Sequence, residues 1–330
     1  MNSFHRNSDI AFLRRKRRFT SFALFIAVTG LIITLLLPRQ IRACACGCGV
    51  FEVGGLSMYP DGPGGMVSLN WDFQNQNHNW SGSSRAAAAN NGDKNILTHF
   101  LGIDFQYYFN RSWGVQLEIP WDFRTFVTTA DNGKLVSLRW SCLGDVRATG
   151  WYTGFFKDQS AGIGFGLKFP TGNWNYNDKA GDVDRDSEIG TGTTDILVAA
   201  YFHHRITPDD SFHWFAQANL DQPMFARQGY IGGTEIDSVA GIYYNHWYIG
   251  KTQVRPIAQI INSWRSCDHG DNSAAPIASG YERIMLSPAV ELQYNQMMFD
   301  ASVDFPVYQY MIGNQLVAHL LLKASVTYRF

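Results

Sequence analysis

Three groups of residues in this 330-residue sequence have side chains and spacings suited to chemistry. The first is Cys44, Cys46 and Cys48, separated by single residues. Such close thiols can hold a metal, close a disulfide or carry a redox group, but the spacing lacks the two-residue gap of zinc-binding cysteine pairs. The second is Asp182, Asp184, Asp186 and Glu188. Alternate carboxylates can chelate calcium, yet Ser187 stands where the calcium loop needs its glycine and Thr193 where it needs a closing glutamate. A solvated loop is the simpler reading. The third is the set of histidines His99, His203, His204, His213, His246 and His319. None has a neighbouring serine in a recognisable nucleophile motif, so a hydrolase would have to assemble its triad across adjacent strands. No dinucleotide fingerprint, phosphate loop or zinc-hydrolase motif occurs. The expectation is a protein that is not an enzyme and carries no cofactor.

The segments around these residues point to export. A basic stretch, Arg14, Arg15, Lys16, Arg17 and Arg18, precedes an apolar run over 22–37, and small residues follow. That is the layout of a secretory signal. Ala43-Cys44-Ala45 fits a cleavage site, which makes 1–45 the signal peptide and Cys46 the first mature residue. An uncleaved anchor is the rival; the run is short for a span, and Pro38 and Arg39 end it. A lipoprotein cut before Cys44 would place Arg42 badly in its lipobox. Removing 1–45 leaves 19 basic and 27 acidic residues, a net charge of −8. That excludes the basic footprint of a nucleic-acid partner. The acidity suits cations at a pore mouth or solvated surface loops.

From Gly65 onward the pattern is one of strands. Segments of about ten residues alternate apolar and polar positions, as in a transmembrane barrel. In the last segment Leu316, Ala318, Leu320, Leu322, Ala324, Val326, Tyr328 and Phe330 share one face, and His319, Lys323, Ser325, Thr327 and Arg329 the other. The pattern recurs at Trp113, Val115, Leu117, Ile119 and Trp121. It predicts twelve strands, over 65–74, 96–109, 113–125, 136–155, 161–170, 193–206, 212–222, 236–245, 253–264, 282–294, 297–307 and 316–330. Between them short turns alternate with longer loops, the expected asymmetry of an outer-membrane barrel, and an even count puts both ends in the periplasm. The fold expected is therefore an all-β, transmembrane, antiparallel up-and-down barrel over 65–330, embedded in outer-membrane lipid of a Gram-negative-type bacterium. Residues 46–64, rich in Cys, Gly and Pro, form a short leader that hangs in the periplasm or folds into the lumen. The terminal Phe330 resembles the signal read by the barrel-assembly machinery.

With apolar faces toward lipid, the polar faces line the interior, because lipid-facing charge is expensive. The predicted lumen then holds Asp104, Glu118, Asp122, Asp145, Asp195, Asp221, Glu291, Asp300 and Asp304, against Arg124, Arg139, Arg147, Lys168, Arg255, Lys323 and Arg329. These either brace a nearly closed barrel with ion pairs or line a wet path for a small-molecule solute. Trp174 and Tyr176, in a long loop, are positioned to meet a ligand or to pack the loop over the mouth.

Three motifs carry a family resemblance: Leu143-Gly144-Asp145-Val146, the run from Gly164 through Lys168, Pro170 and Thr171 to Gly172, and Gly190-Thr191-Gly192-Thr193-Thr194-Asp195. Over roughly 95–330 the sequence resembles the outer-membrane transporters of the meta-pathway of phenol degradation type, distantly like fatty-acid and toluene channels. The resemblance implies passive passage of small, hydrophobic or aromatic solutes. The cysteine-rich start departs from that family. Beside the channel stand a structural barrel bound to a periplasmic redox protein near Cys46 and Cys48, and a barrel hydrolase.

Overall fold

The computed structural model describes Gly54, Leu56, Tyr59, Pro60 and residues 62–330, apart from 131–132, 179–180, 184 and 271–277. The expected signal segment, Cys44, Cys46 and Cys48 lie outside the described residues, as do Asp184 and the side chain of Asp182.

The described residues build an all-β, closed, antiparallel barrel. Its strands are β1 (Gly64–Gly82), β2 (Asp93–Tyr108), β3 (Trp113–Thr129), β4 (Leu135–Leu143), β5 (Val146–Tyr152), β6 (Ala161–Phe169), β7 (Thr193–Arg205), β8 (Phe212–Ala226), β9 (Glu235–Tyr244), β10 (Thr252–Arg265), β11 (Tyr281–Tyr294) and β12 (Met297–Arg329). Around the ring neighbours pair in order, with β3 joined to β5, β9 to β10 and β12 to β1, which closes the sheet, while β4 pairs with β3 alone. The segment expected as one strand over 136–155 is broken at Gly144 and Asp145. Both β4 and β5 pair with β3, and the Gly144 N–H donates to the Pro120 carbonyl at 2.9 Å. The segments expected over 297–307 and 316–330 form the single element β12. It pairs with β11 through residues 297–311 and with β1 through 311–329. The wall thus comprises eleven segments, counting β4 and β5 as one.

Alternation sets the polarity of the wall. Leu69, Ile103, Phe165 and Ile260 are each more than half exposed on the outside. On the inside Thr98, Asp195, Ser263, Ser287, Glu291, Asp304 and Thr327 are fully sealed. This reverses a soluble fold, where a large contiguous apolar exterior is rare. Three inward glycines of β6 make room for bulky neighbours. A Cβ on Gly162 would come within 2.5 Å of the Tyr201 ring, one on Gly164 within 2.9 Å of the Thr149 methyl, and one on Gly166 within 2.4 Å of the Ala148 carbonyl. The terminal residue seals the seam, since Phe330 and Gly65 exchange two backbone hydrogen bonds of 2.9 Å.

Two irregularities shift the expected faces. The register of β12 against β11 slips between Tyr308 and Pro306, so Phe305 points outward and Tyr308 does too, while Met311 turns in. Against β1 it slips between Leu321 and Ala318. Leu316 and Ala318, expected on the outer face, are therefore buried inside, whereas Leu320 and Tyr328 face out. A bulge inserts one residue and inverts the parity of everything beyond it.

Candidate functional site: the interior cavity and its two closures

The inner faces of the strands enclose a cavity of about 310 Å³. Its wall carries Asp72 of β1, Asp104 of β2, Glu118, Asp122 and Arg124 of β3, Arg147 of β5, Lys168 of β6, Asp221 of β8, and Asp300 and Lys323 of β12. Lys168 is the hub of the side nearest β7 and β8. Its ammonium meets Asp195 and lies 2.9 Å from Asp221, which also takes Arg147 at 3.1 Å. Register explains the grouping, because Asp195 stands directly opposite Lys168, and Lys168 opposite Arg147. Across the lumen Lys323 pairs with the sealed Asp304 at 3.3 Å. Lower down, Arg255 binds Glu291 at 2.5 Å and Asn245 at 2.8 Å. Charges in such confined sites are stable only when paired and hydrogen-bonded.

The end of the barrel with the long loops is closed by the described residues of the connection between β6 and β7, of which 185, 186 and 188–191 line the cavity. Arg124 donates to the Ser187 and Glu188 carbonyls at 2.7 and 2.8 Å and, through Nε, to the Thr98 hydroxyl at 3.0 Å. Asp145, at the break between β4 and β5, accepts from Gly172 N–H at 2.9 Å and from the backbone and hydroxyl of Thr191 at 2.7 and 2.6 Å. Ile189, Gly190 and Thr191 consequently line the cavity. Trp174 and Tyr176 pack this loop: Arg185 lies 4.3 Å from the Trp174 ring, and Tyr176 stacks on Trp140 at 4.8 Å. Arg185 reaches the Trp174 and Thr191 carbonyls, and burial lowers its pKa from the ordinary guanidinium value. It also faces Tyr230 at 4.9 Å, whose hydroxyl donates to Asp268 at 2.9 Å and is held well above its usual pKa by burial and that carboxylate. Asp268 is bound in turn by Arg265 at 2.6 Å. Asp186 and Glu188, weighed as calcium ligands, are buried beside the cavity. Among the described residues no group of three or more His, Cys, Asp or Glu is arranged to hold a metal ion.

The opposite end is closed by apolar material. Tyr59 stacks on Tyr201 at 5.0 Å and on His203 at 5.3 Å and meets Phe215 edge-on at 6.2 Å. With Leu56 it joins a buried interior cluster of Tyr108, Trp151, Val239, Ile257, Ile261, Met285 and Leu321. Arg329 ties the segment to the wall through the Tyr59 carbonyl at 2.9 Å, and the Gly62 N–H donates to Gln159 at 2.7 Å. Between plug and main cavity lies a second space of about 70 Å³, lined by Tyr59, Trp151 and Tyr201. Gln116, Glu118, Arg147 and Gln217 border both spaces, so the two adjoin.

Of the residues expected inside, Arg139 is not there. It stands opposite Thr125 on the exposed face of β4, and the inward position beside it belongs to Leu138, packed with Ile96, Phe126 and Leu316. The expectation carried one parity through 136–155, and the break at Gly144 does not preserve it. Asp195, Glu291, Asp304, Arg255 and Arg329 are inside but off the main cavity. The expected list omitted Asp72, Arg185, Glu235 and Arg265, which line it. Asp72 was legible from its alternation with Trp71 and Phe73; the loop residues carry no such periodic signal.

No protein-family model matches the sequence, and no curated protein does. Among solved structures, an outer-membrane channel from Pseudomonas putida F1 superposes with a TM-score of 0.61 at 10% identity, covering 84% of this chain and 100% of that one. A Pseudomonas aeruginosa FadL homologue gives 0.46 at 9% identity, covering 87% and 98%. The Pseudomonas putida toluene transporter TodX gives 0.36 at 8% identity, covering 88% and 96%. The first likeness shows that this chain has the fold of an outer-membrane channel barrel.

Proposed function

We propose that the protein is an outer-membrane channel for passive passage of small solutes, with a narrow path closed at both ends in the form described. The observation that carries this reading is the inverted polarity of the wall: an apolar exterior around a charged cavity of about 310 Å³. A bilayer solvates the exterior, and only a wet interior keeps so many charges in place. In this reading the wall crosses the membrane twelve times, because a ring whose neighbours are all antiparallel needs an even number of strands. The twelfth crossing would come from a turn within β12 near Gly313, whose φ of 78° suits one, between the stretch paired with β11 and the stretch paired with β1. In this reading lipid contacts the outer face, and the exposed Phe330 is presented to the assembly machinery. Phe330→Asp should then abolish the heat-modifiable folded form.

Planar-bilayer recording of the refolded full chain tests the proposal. Discrete conductance steps are expected. A correctly folded barrel that conducts no ions or small solutes would leave a structural or partner-binding barrel instead.

A further inference from the structure

We infer that His78 of β1 and His319 of β12 form a binding site for a late first-row divalent metal ion such as zinc, at the long-loop end of the barrel's closing seam; the inference does not depend on the channel reading. The two Nε2 atoms lie 2.6 Å apart, closer than the about 2.7–3.2 Å of an ordinary N–H hydrogen bond. A head-to-head hydrogen bond between two imidazoles would also hold the ring centroids roughly 5 Å apart. They stand 3.4 Å apart, with the planes at 46°. The rings thus lie side by side, and because the nitrogens are closer together than the centroids, both lone-pair directions converge on a point ahead of them. Two neutral imidazoles aimed at one point are a chelate for zinc, nickel or copper.

The backbone places them there. β1 and β12 keep one register on either side of the pair, with Phe73 opposite Leu322 before it and Asn79 opposite Leu316 beyond it. Between these the ladder slips at Gln74/Gln76 and slips back at Gln76/His78, so each strand carries one extra residue. Bulges of this kind re-aim side chains. His319 falls within the bulge of β12, with no ladder position opposite it on β1, and its exposed ring is turned to His78.

Tetrahedral zinc, with bonds of about 2.0–2.1 Å, would hold the two nitrogens roughly 3.3 Å apart, an opening of less than about 1 Å that an exposed ring can supply. No third His, Cys, Asp or Glu joins them among the described residues, so water would complete the coordination. Hard ions such as magnesium and calcium take oxygen ligands and are disfavoured. A metal here would tie β1 to β12, the strands whose pairing closes the barrel.

Calorimetric titration of the untagged, detergent-refolded full chain with zinc chloride, after its thiols are alkylated, tests the site. One zinc should bind per chain, and magnesium should not bind. His78→Ala and His319→Ala should each weaken zinc binding by at least about tenfold. His246→Ala, at an exposed position elsewhere, should leave it unchanged. Copper-loaded wild type gives a readout that needs no variant, since pulsed electron paramagnetic resonance should detect two coordinated imidazoles. Zinc binding that is absent, equal in wild type and both variants, or weakened by only one of the two substitutions overturns the inference and leaves the pair a hydrogen bond only. Copper held by a single imidazole overturns it as well.

Discussion

The two ends of the interior are closed by opposite materials. Toward the long loops the closure is ionic and hydrogen-bonded, through Arg124 and Asp145 on an infolded loop and the Arg185–Tyr230–Asp268 chain. Toward the short turns it is aromatic, with Tyr59 clasped by Tyr201, His203 and Phe215. The first is directional and depends on charges kept out of solvent. The second is non-directional and insensitive to salt. In the proposed channel one end would therefore discriminate by charge, and the other would block by bulk.

The largest effect is expected at Lys168. Lys168→Met strands the sealed Asp195 and leaves Asp221 to Arg147, and the loss should be about 3–5 kcal/mol by reversible folding in detergent. Next comes the wall. Val303→Lys places a charge on the outer face of β12 and should cost about 2–4 kcal/mol in lipid vesicles if that face is at mid-membrane depth. Asp300→Asn, one face over, should cost much less. At the aromatic end, Tyr59→Ala removes stacking contacts of about 0.5–1.5 kcal/mol each. It should raise conductance by the same factor at low and high salt, whereas Arg124→Met should change conductance in a salt-dependent way. If both variants responded alike to salt, the contrast between the ends would fail.

The smallest effect lies in a turn outside the wall. Hydrogen bonds from the side chain and backbone of Ser160 hold the Asp158 carboxyl below its ordinary pKa. A depressed folded-state value means a stabilising contribution that is complete above the unfolded pKa of about 4 and lost as pH falls through the folded value. Asp158→Asn should remove that acid sensitivity while shifting stability at neutral pH by no more than about 0.5 kcal/mol.

Much of the barrel is legible in the sequence because period-two alternation is a local signal. Trp113, Val115, Leu117, Ile119 and Trp121 all lie exposed on one face as their spacing implies. The expected strict alternation of short and long connections does not hold, because 130–134, expected to be long, is shorter than 153–160, expected to be short. What is not legible comes from breaks in parity and from positions where both faces are apolar. The slip between Ala318 and Leu321 sends Leu316 inward, and the break at Gly144 sends Arg139 outward. At Tyr201 and Phe202 hydrophobicity cannot choose a side, so the interior aromatic cluster is hidden. Tyr59 and Arg185 sit in segments with no period at all, and only tertiary contacts place them. The charged cavity was readable from strand faces; its closures were not.

In the proposed channel the outer face of the wall meets lipid while the inner face lines a polar interior. Nitroxide labels placed singly at 300 through 305, in a background lacking the native cysteines and reconstituted into vesicles, test it most directly. Relaxation by oxygen, which concentrates in lipid, should be strong at 301, 303 and 305 and weak at 300, 302 and 304, matching the burial of Ser302 and Asp304 and the exposure of Phe305. Equal relaxation along the strand, or the opposite alternation, would contradict the account.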